Sequence, residues 1–171
     1  MSITVLVKIN KLNNWSSKMK VIYKVEVDED GNTFWYNQQG KFHREGKPAI
    51  EYADGDKVWW VNGKQHREGG LPAVERADGT KVWFVNGQCH REGGLPAIER
   101  ANGNKEWWVN GQCHREGGLP AIEYADGDKE WWVNGHHVTE DQAKDMFNKP
   151  ASCAGKVVEI DGKQFKLEEI T

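Results

Sequence analysis

The sequence predicts a mainly β protein, an elongated antiparallel meander of hairpin repeats that ends in a short helix and a terminal hairpin. Three observations carry this prediction. A unit of 24 residues recurs from Pro48, Pro72, Pro96 and Pro120. Each unit holds two Asx-Gly pairs, one series running Asp54-Gly55, Asp78-Gly79, Asn102-Gly103, Asp126-Gly127 and the other Asn62-Gly63, Asn86-Gly87, Asn110-Gly111, Asn134-Gly135. Between the two pairs lie six residues such as DKVWWV, rich in strand formers and long enough for one strand. Self-similarity at a fixed period marks an array in which each unit packs on its neighbours.

Taken in order, residues 1–20 read as an N-terminal extension, with Met19 a possible internal start. Residues 21–137 form the array, and 138–171 a C-terminal cap of helix plus hairpin. YKVEVDEDGNTFWYN from Tyr23 reads as a hairpin around Asp30-Gly31, and FWYNQQGKFHREGK from Phe34 as a degenerate first copy. In the full copies both Asx-Gly pairs suit two-residue type I′ turns, which need positive φ twice in succession. Counting outward from Asp54-Gly55 then sets Tyr52 opposite Lys57, Glu51 opposite Val58, Ile50 opposite Trp59 and Ala49 opposite Trp60. Counting from Asn62-Gly63 sets Val61 opposite Lys64, Trp60 opposite Gln65 and Trp59 opposite His66. By this count Ile50, Trp59, Val61 and His66 share a packed face, while Ala49, Glu51, Val58, Trp60, Gln65 and Arg67 share a more exposed one. Arg115 lies across from Glu106 there, an expected ion pair. The Gly-Gly and Pro of GGLPA place a bulge or kink in the return segment. At the end, Thr139 and Gln142 form a capping box before a helix over 139–148, with Pro150 beyond it. KVVEIDGKQFKLEEI from Lys156 alternates around Asp161-Gly162 as a closing hairpin that sets Val158, Ile160, Phe165 and Leu167 on one side and protects the last edge.

Composition narrows the function classes. Of 171 residues, 37% are hydrophobic and 29% charged, and nine tryptophans supply much of the apolar area a thin sheet can bury. A formal net charge of −3 leaves no basic footprint for nucleic acid. No apolar run reaches the roughly 18 residues of a membrane span, and the N-terminus makes a poor signal peptide. The expectation is a cytoplasmic protein whose Cys89, Cys113 and Cys153 stay reduced.

His66, His90 and His114 fall 24 residues apart, and His43 falls 23 before His66. With Cys89 and Cys113 nearby, the ladder invites a metal reading. Equivalent residues of successive repeats are two strands apart, roughly 9–10 Å, too far for two ligands of one zinc ion or for an unstrained Cys89–Cys113 disulfide. No metal and no cofactor is expected, and the histidines are assigned to packing against Trp. HRE triplets offer base, anchor and acid, yet they recur in near-identical surroundings, whereas a catalytic site is one asymmetric pocket. The chain is therefore not expected to be an enzyme. Trp60, Phe84, Trp108 and Trp132, beside Arg67, Arg91 and Arg115, are the candidate partner-binding residues, since rigid aromatics and arginine anchor interfaces.

The stretch WVNGKQHREGG from Trp60, matched from Phe84 and Trp108, resembles the W-x-x-G-x-x-H-G-x-G pattern of MORN repeats over roughly residues 34–137. Arg-Glu between His and Gly departs from that pattern. The departure is closer to the MORN-like variant of bacterial antitoxin-type proteins and of bacteriophage proteins with H-R-E-x-G-P-A repeats. What the resemblance implies is a protein-binding array: an antitoxin-like neutraliser or a phage-encoded inhibitor of a host defence factor. Homodimerisation is a further option, because a single-layer sheet with tryptophans on both sides would otherwise expose a large apolar patch. A carbohydrate- or cell-wall-binding module is the alternative, and a hydrolase or nuclease using the HRE triplets is the third.

Overall fold

A computed structural model describes residues 3–11, 19–148, 157–160 and 163–166. It is mainly β, as the repeat predicts. Its main sheet has twelve antiparallel strands, all joined to their neighbours in chain order once the short excursions described below are set aside. At about 4.8 Å per strand it is roughly 50 Å across.

The first strand, β1 (Ile3–Lys11), pairs along its whole length with β2 (Met19–Val27), and β2 pairs with β3 (Thr33–Tyr36). Part of the segment read as an extension thus forms the edge of the sheet. The repeats from Pro48, Pro72 and Pro96 each add two two-residue strands to this sheet, for example Ile50–Glu51 and Lys57–Val58, and the last adds Ile122–Glu123 and the longer Lys129–Val133. The NG turns form as expected: Asn62, Asn86, Asn110 and Asn134 have φ of 50–52° and each is followed by a positive-φ glycine. Trp60 faces Gln65 and Val61 faces Lys64.

The Asp-Gly loops differ from the expectation by one residue. Ile50 pairs with Val58 and Glu51 with Lys57. Tyr52 N–H donates to Asp56 O, and Gly55 N–H donates to Tyr52 O. The loop therefore has three residues, with Gly55 at φ 101° as the bulge residue. An Asp-Gly pair fits either loop, and here the Asp54 carboxylate, accepting from Asp56 N–H at 3.0 Å, favours the longer one. Because side chains alternate along a strand, the extra residue reverses the expected faces. Val58 joins Ile50, and both are buried, at 8% and 5% exposure. One continuous row runs Phe34, Ile50, Val58, Val74, Val82, Ile98, Glu106, Ile122, Glu130. On the opposite side Glu and Lys alternate as Glu51, Lys57, Glu75, Lys81, Glu99, Lys105, Glu123 and Lys129. Opposite charges across each pair stabilise the register modestly.

Beyond Val58 the chain leaves the main sheet. Trp59 is the hand-over residue: its N–H donates to Ala73 O and its C=O accepts from His66 N–H. Trp83 and Trp107 do the same with Ala97 and His90, and with Ala121 and His114. The first three NG hairpins are consequently small ladders of their own, whereas the last continues the main sheet through Lys129–Val133 and His136–Val138; each is tied to the preceding one by a single backbone bond such as Gly87 N–H to Gln65 O. The kink assigned to Gly-Gly and Pro is the return of the chain from this hairpin to the main sheet, through Gly69 and Gly70 at φ 78° and 69°.

The helix Glu140–Asn148 closes the array. Its capping box is formed: Gln142 N–H donates to Thr139 Oγ1 at 3.2 Å, and Thr139 N–H donates to Gln142 Oε1 at 2.9 Å. The last two strands, Val157–Ile160 and Lys163–Lys166, pair as a separate hairpin. Asp161-Gly162, the expected turn, and Leu167, Pro150 and Cys153 lie outside the described residues, as do the side chains of Val158, Ile160 and Phe165. Among the described residues no helix is long and apolar enough to cross a membrane.

Candidate functional site

The HREGGLPAIE stretch holds successive repeats together, and its His, its Arg and its second Glu each have a defined partner. Arg67 lies over the Trp59 ring, with its guanidinium carbon 3.8 Å from the ring centroid. The same guanidinium donates to Pro72 O at 3.1 Å and to Glu75 Oε1 at 2.6 Å. Arg91 on Trp83 and Arg115 on Trp107 repeat the arrangement with Glu99 and Glu123. A partly desolvated cation–π contact is worth roughly 1–2 kcal/mol, and the charge-assisted bonds add to it. Two corrections follow. Arg67 covers Trp59 and does not share a face with Trp60. Arg115 pairs with Glu123 and not with Glu106, which binds Arg100 Nη2 at 2.6 Å.

The histidines act as acceptors between repeats. His43, His66, His90 and His114 Nδ1 accept from the backbone N–H of Asn62, Asn86, Asn110 and Asn134 at 3.1–3.4 Å. A ring accepting through Nδ1 carries its hydrogen on Nε2, and in His90 and His114 that nitrogen meets Glu92 and Glu116 at 3.1 and 3.0 Å. A third link ties the Asp-Gly loops, where Asp56, Thr80 and Asn104 side chains accept from the N–H of Ala77, Ala101 and Ala125. Among the described residues no group of three or more His, Cys, Asp or Glu is placed to hold a metal ion. Cys89 and Cys113 are free thiols. Burial, with the nearby Glu106 carboxylate second, pushes both up to about 12.

The candidate aromatics divide into two kinds. Trp108 and Trp132 donate their indole N–H to Glu106 and Glu130 two residues earlier, at 3.1 and 2.8 Å. Glu130 also accepts from Tyr124 at 2.8 Å, and these two bonds hold its carboxyl below the usual 4.5. Trp60 has Val58 at that position, and its buried indole N–H meets no acceptor. Phe84 needs none. All four are half-buried, and Trp60 packs against Phe42 with centroids 5.5 Å apart.

Between successive HREGGL loops lie three open grooves of about 450, 290 and 330 Å³ in chain order, floored by Trp59, Trp83 and Trp107. Phe84 and Trp108 border the second and third. On the rim stand Leu71, Leu95 and Leu119, each half exposed at 49–50%. Sequence reasoning passed over these leucines. Their signal was an apolar residue between Gly-Gly and Pro, repeated at the array period.

At the end of the array the same space is closed. A Cβ on Gly118 would sit 3.1 Å from Lys144 Cα of the helix, whereas one on Gly70 or Gly94 would meet nothing within 4 Å. Phe147 lies against His114 at 6.0 Å, and Ala143 is buried. At the other end Tyr23 covers His43 at 6.0 Å. The interior intervals are left open. Compared with family models, curated proteins and solved structures, the chain matches none.

Proposed function

We propose that the chain is a non-enzymatic protein-binding array, and that the leucine-rimmed groove face receives the partner. The observation that carries this reading is the repetition of one open, part-apolar groove between loops whose arginines are already engaged. Leu71, Leu95 and Leu119 set one half-exposed apolar side chain on these rims at every period of the array, and a repeated apolar rim suits a bound partner. Arg67, Arg91 and Arg115 contribute by fixing the loops, their donors being spent on Glu and Pro carbonyl groups. Phe84 and Trp108 help line the grooves. Neutralising or inhibiting the bound protein, as the MORN-like resemblance implies, is the expected consequence of such binding.

The arginine-covered rings of Trp59, Trp83 and Trp107 count against a sugar-stacking platform, which needs an open aromatic face. A photo-crosslinking residue at Leu95, introduced in native-host cells, tests the reading. Discrete crosslinks to another protein, lost in a Leu71→Ser/Leu119→Ser background, are expected. Crosslinks to glycan alone, or none, would overturn it.

A further inference from the structure

Resting on that protein-binding reading, we infer that the partner segment is a basic amphipathic α-helix lying along the array, with one large apolar side chain for each groove at seven-residue spacing. Period, charge and an internal precedent support this.

Equivalent grooves are two strands apart, roughly 9.6 Å at about 4.8 Å per strand. Seven residues of α-helix rise about 10.5 Å, so positions i, i+7 and i+14 of one helix face meet three consecutive grooves with about 1 Å of drift per step. An extended strand matches poorly, because a step of about three residues sends alternate side chains to opposite faces. A whole helix, about 10 Å wide, cannot enter one groove between two loops, so it must lie across the rims and insert side chains.

The rims are acidic at the same period. Glu68, Glu92 and Glu116 are exposed, the last two with side chains 85% and 79% accessible. The cations of these loops, Arg67, Arg91 and Arg115, are neutralised by Glu75, Glu99 and Glu123. A partner with Lys or Arg flanking its apolar positions therefore complements the rim, and an acidic one is repelled. The precedent for a helix on these loops is the chain's own helix Glu140–Asn148, which covers the last loop with its Ala143–Lys144 backbone at Gly118 and the Phe147 ring at His114.

The test uses the full chain and a synthetic 22-residue helical peptide carrying Leu at three positions seven apart, flanked by Lys, with binding followed by calorimetry. Saturable one-to-one binding is expected. Leu71→Ser/Leu95→Ser/Leu119→Ser and Glu68→Lys/Glu92→Lys/Glu116→Lys, each checked for an unchanged near-ultraviolet tryptophan spectrum, should weaken it by about tenfold or more. Met146→Ser, at an exposed helix position, should not. Equal binding of a peptide with Leu five apart, equal binding of a proline-rich peptide, or undiminished binding by both triple variants overturns the inference. If the heptad peptide fails while Leu95 still crosslinks a protein, the helix is wrong and the protein-binding reading stands.

Discussion

The two halves of the array share a backbone but solve one position differently. In the first half Val58 and Val82 occupy the row beside Ile50 and Ile98. In the second half Glu106 and Glu130 take the same place, Glu106 with only 9% of its surface accessible. A carboxylate there is tolerated because it arrives with partners six residues before and two residues after it. Arg100 and Trp108 satisfy Glu106, and Tyr124 and Trp132 satisfy Glu130. Position 82 keeps the set consistent in apolar form by pairing Val82 with Phe84. Position 58 does not, and leaves the Trp60 N–H without an acceptor. The burial environment is common to both halves, and polar satisfaction separates them.

Glu106→Val should break the difference most sharply, because it imposes first-half chemistry on a second-half site. The Trp108 N–H and one face of Arg100 lose their acceptor, at an expected cost of about 1–3 kcal/mol, moderated by the exposure of Arg100. Chemical denaturation measures the loss. Adding Trp108→Phe should recover part of it by recreating the Val82/Phe84 pair, and a double variant no more stable than Glu106→Val would disprove the coupling.

A smaller effect, with a sign to check, comes from changing the indoles alone. Trp108→Phe should destabilise by about 1 kcal/mol, whereas Trp60→Phe should be neutral or slightly stabilising because the group it removes is unpaired. Destabilisation of equal size in both would show that indole hydrogen bonding does not distinguish the halves.

The smallest expected effect is on acid stability. Since the Glu130 carboxyl is held below 4.5 in the folded chain, its contribution is present above that value and is lost as pH falls through the lower folded value. Glu130→Gln should therefore be less stable than the parent near neutrality, with the gap narrowing as the solution is acidified below about 4.5. Thermal melts across that range read it directly, and a gap that stays constant would remove Glu130 from the acid response.

The two kinds of turn show how far local residues reach. The NG turns were legible in full, because two consecutive positive-φ residues point to Asn-Gly and to little else. The Asp-Gly loops were legible as turns but not in length, since Asp-Gly also closes a three-residue loop with glycine at the bulge. That single residue moved Val58 from the exposed face to the buried one. The capping box was readable for the opposite reason, both of its partners being three residues apart in the chain.

The site was less legible than the fold. Trp59, Arg67 and Glu75 span seventeen residues and two turns, and nothing local states that the guanidinium lies on that ring and reaches that carboxylate. The arginines were visible as repeated and charged, which is equally the mark of a binding surface.

The sequence by itself determined the repeat length, the strand–turn rhythm, the hairpin at each Asn-Gly and the capped helix, because those depend on backbone preferences within a few residues. Only the tertiary structure decided which face is buried, which arginines are already engaged and which grooves stay open. Those outcomes depend on register and on contacts between units, where one residue of loop length decides which side chains of paired strands share a face.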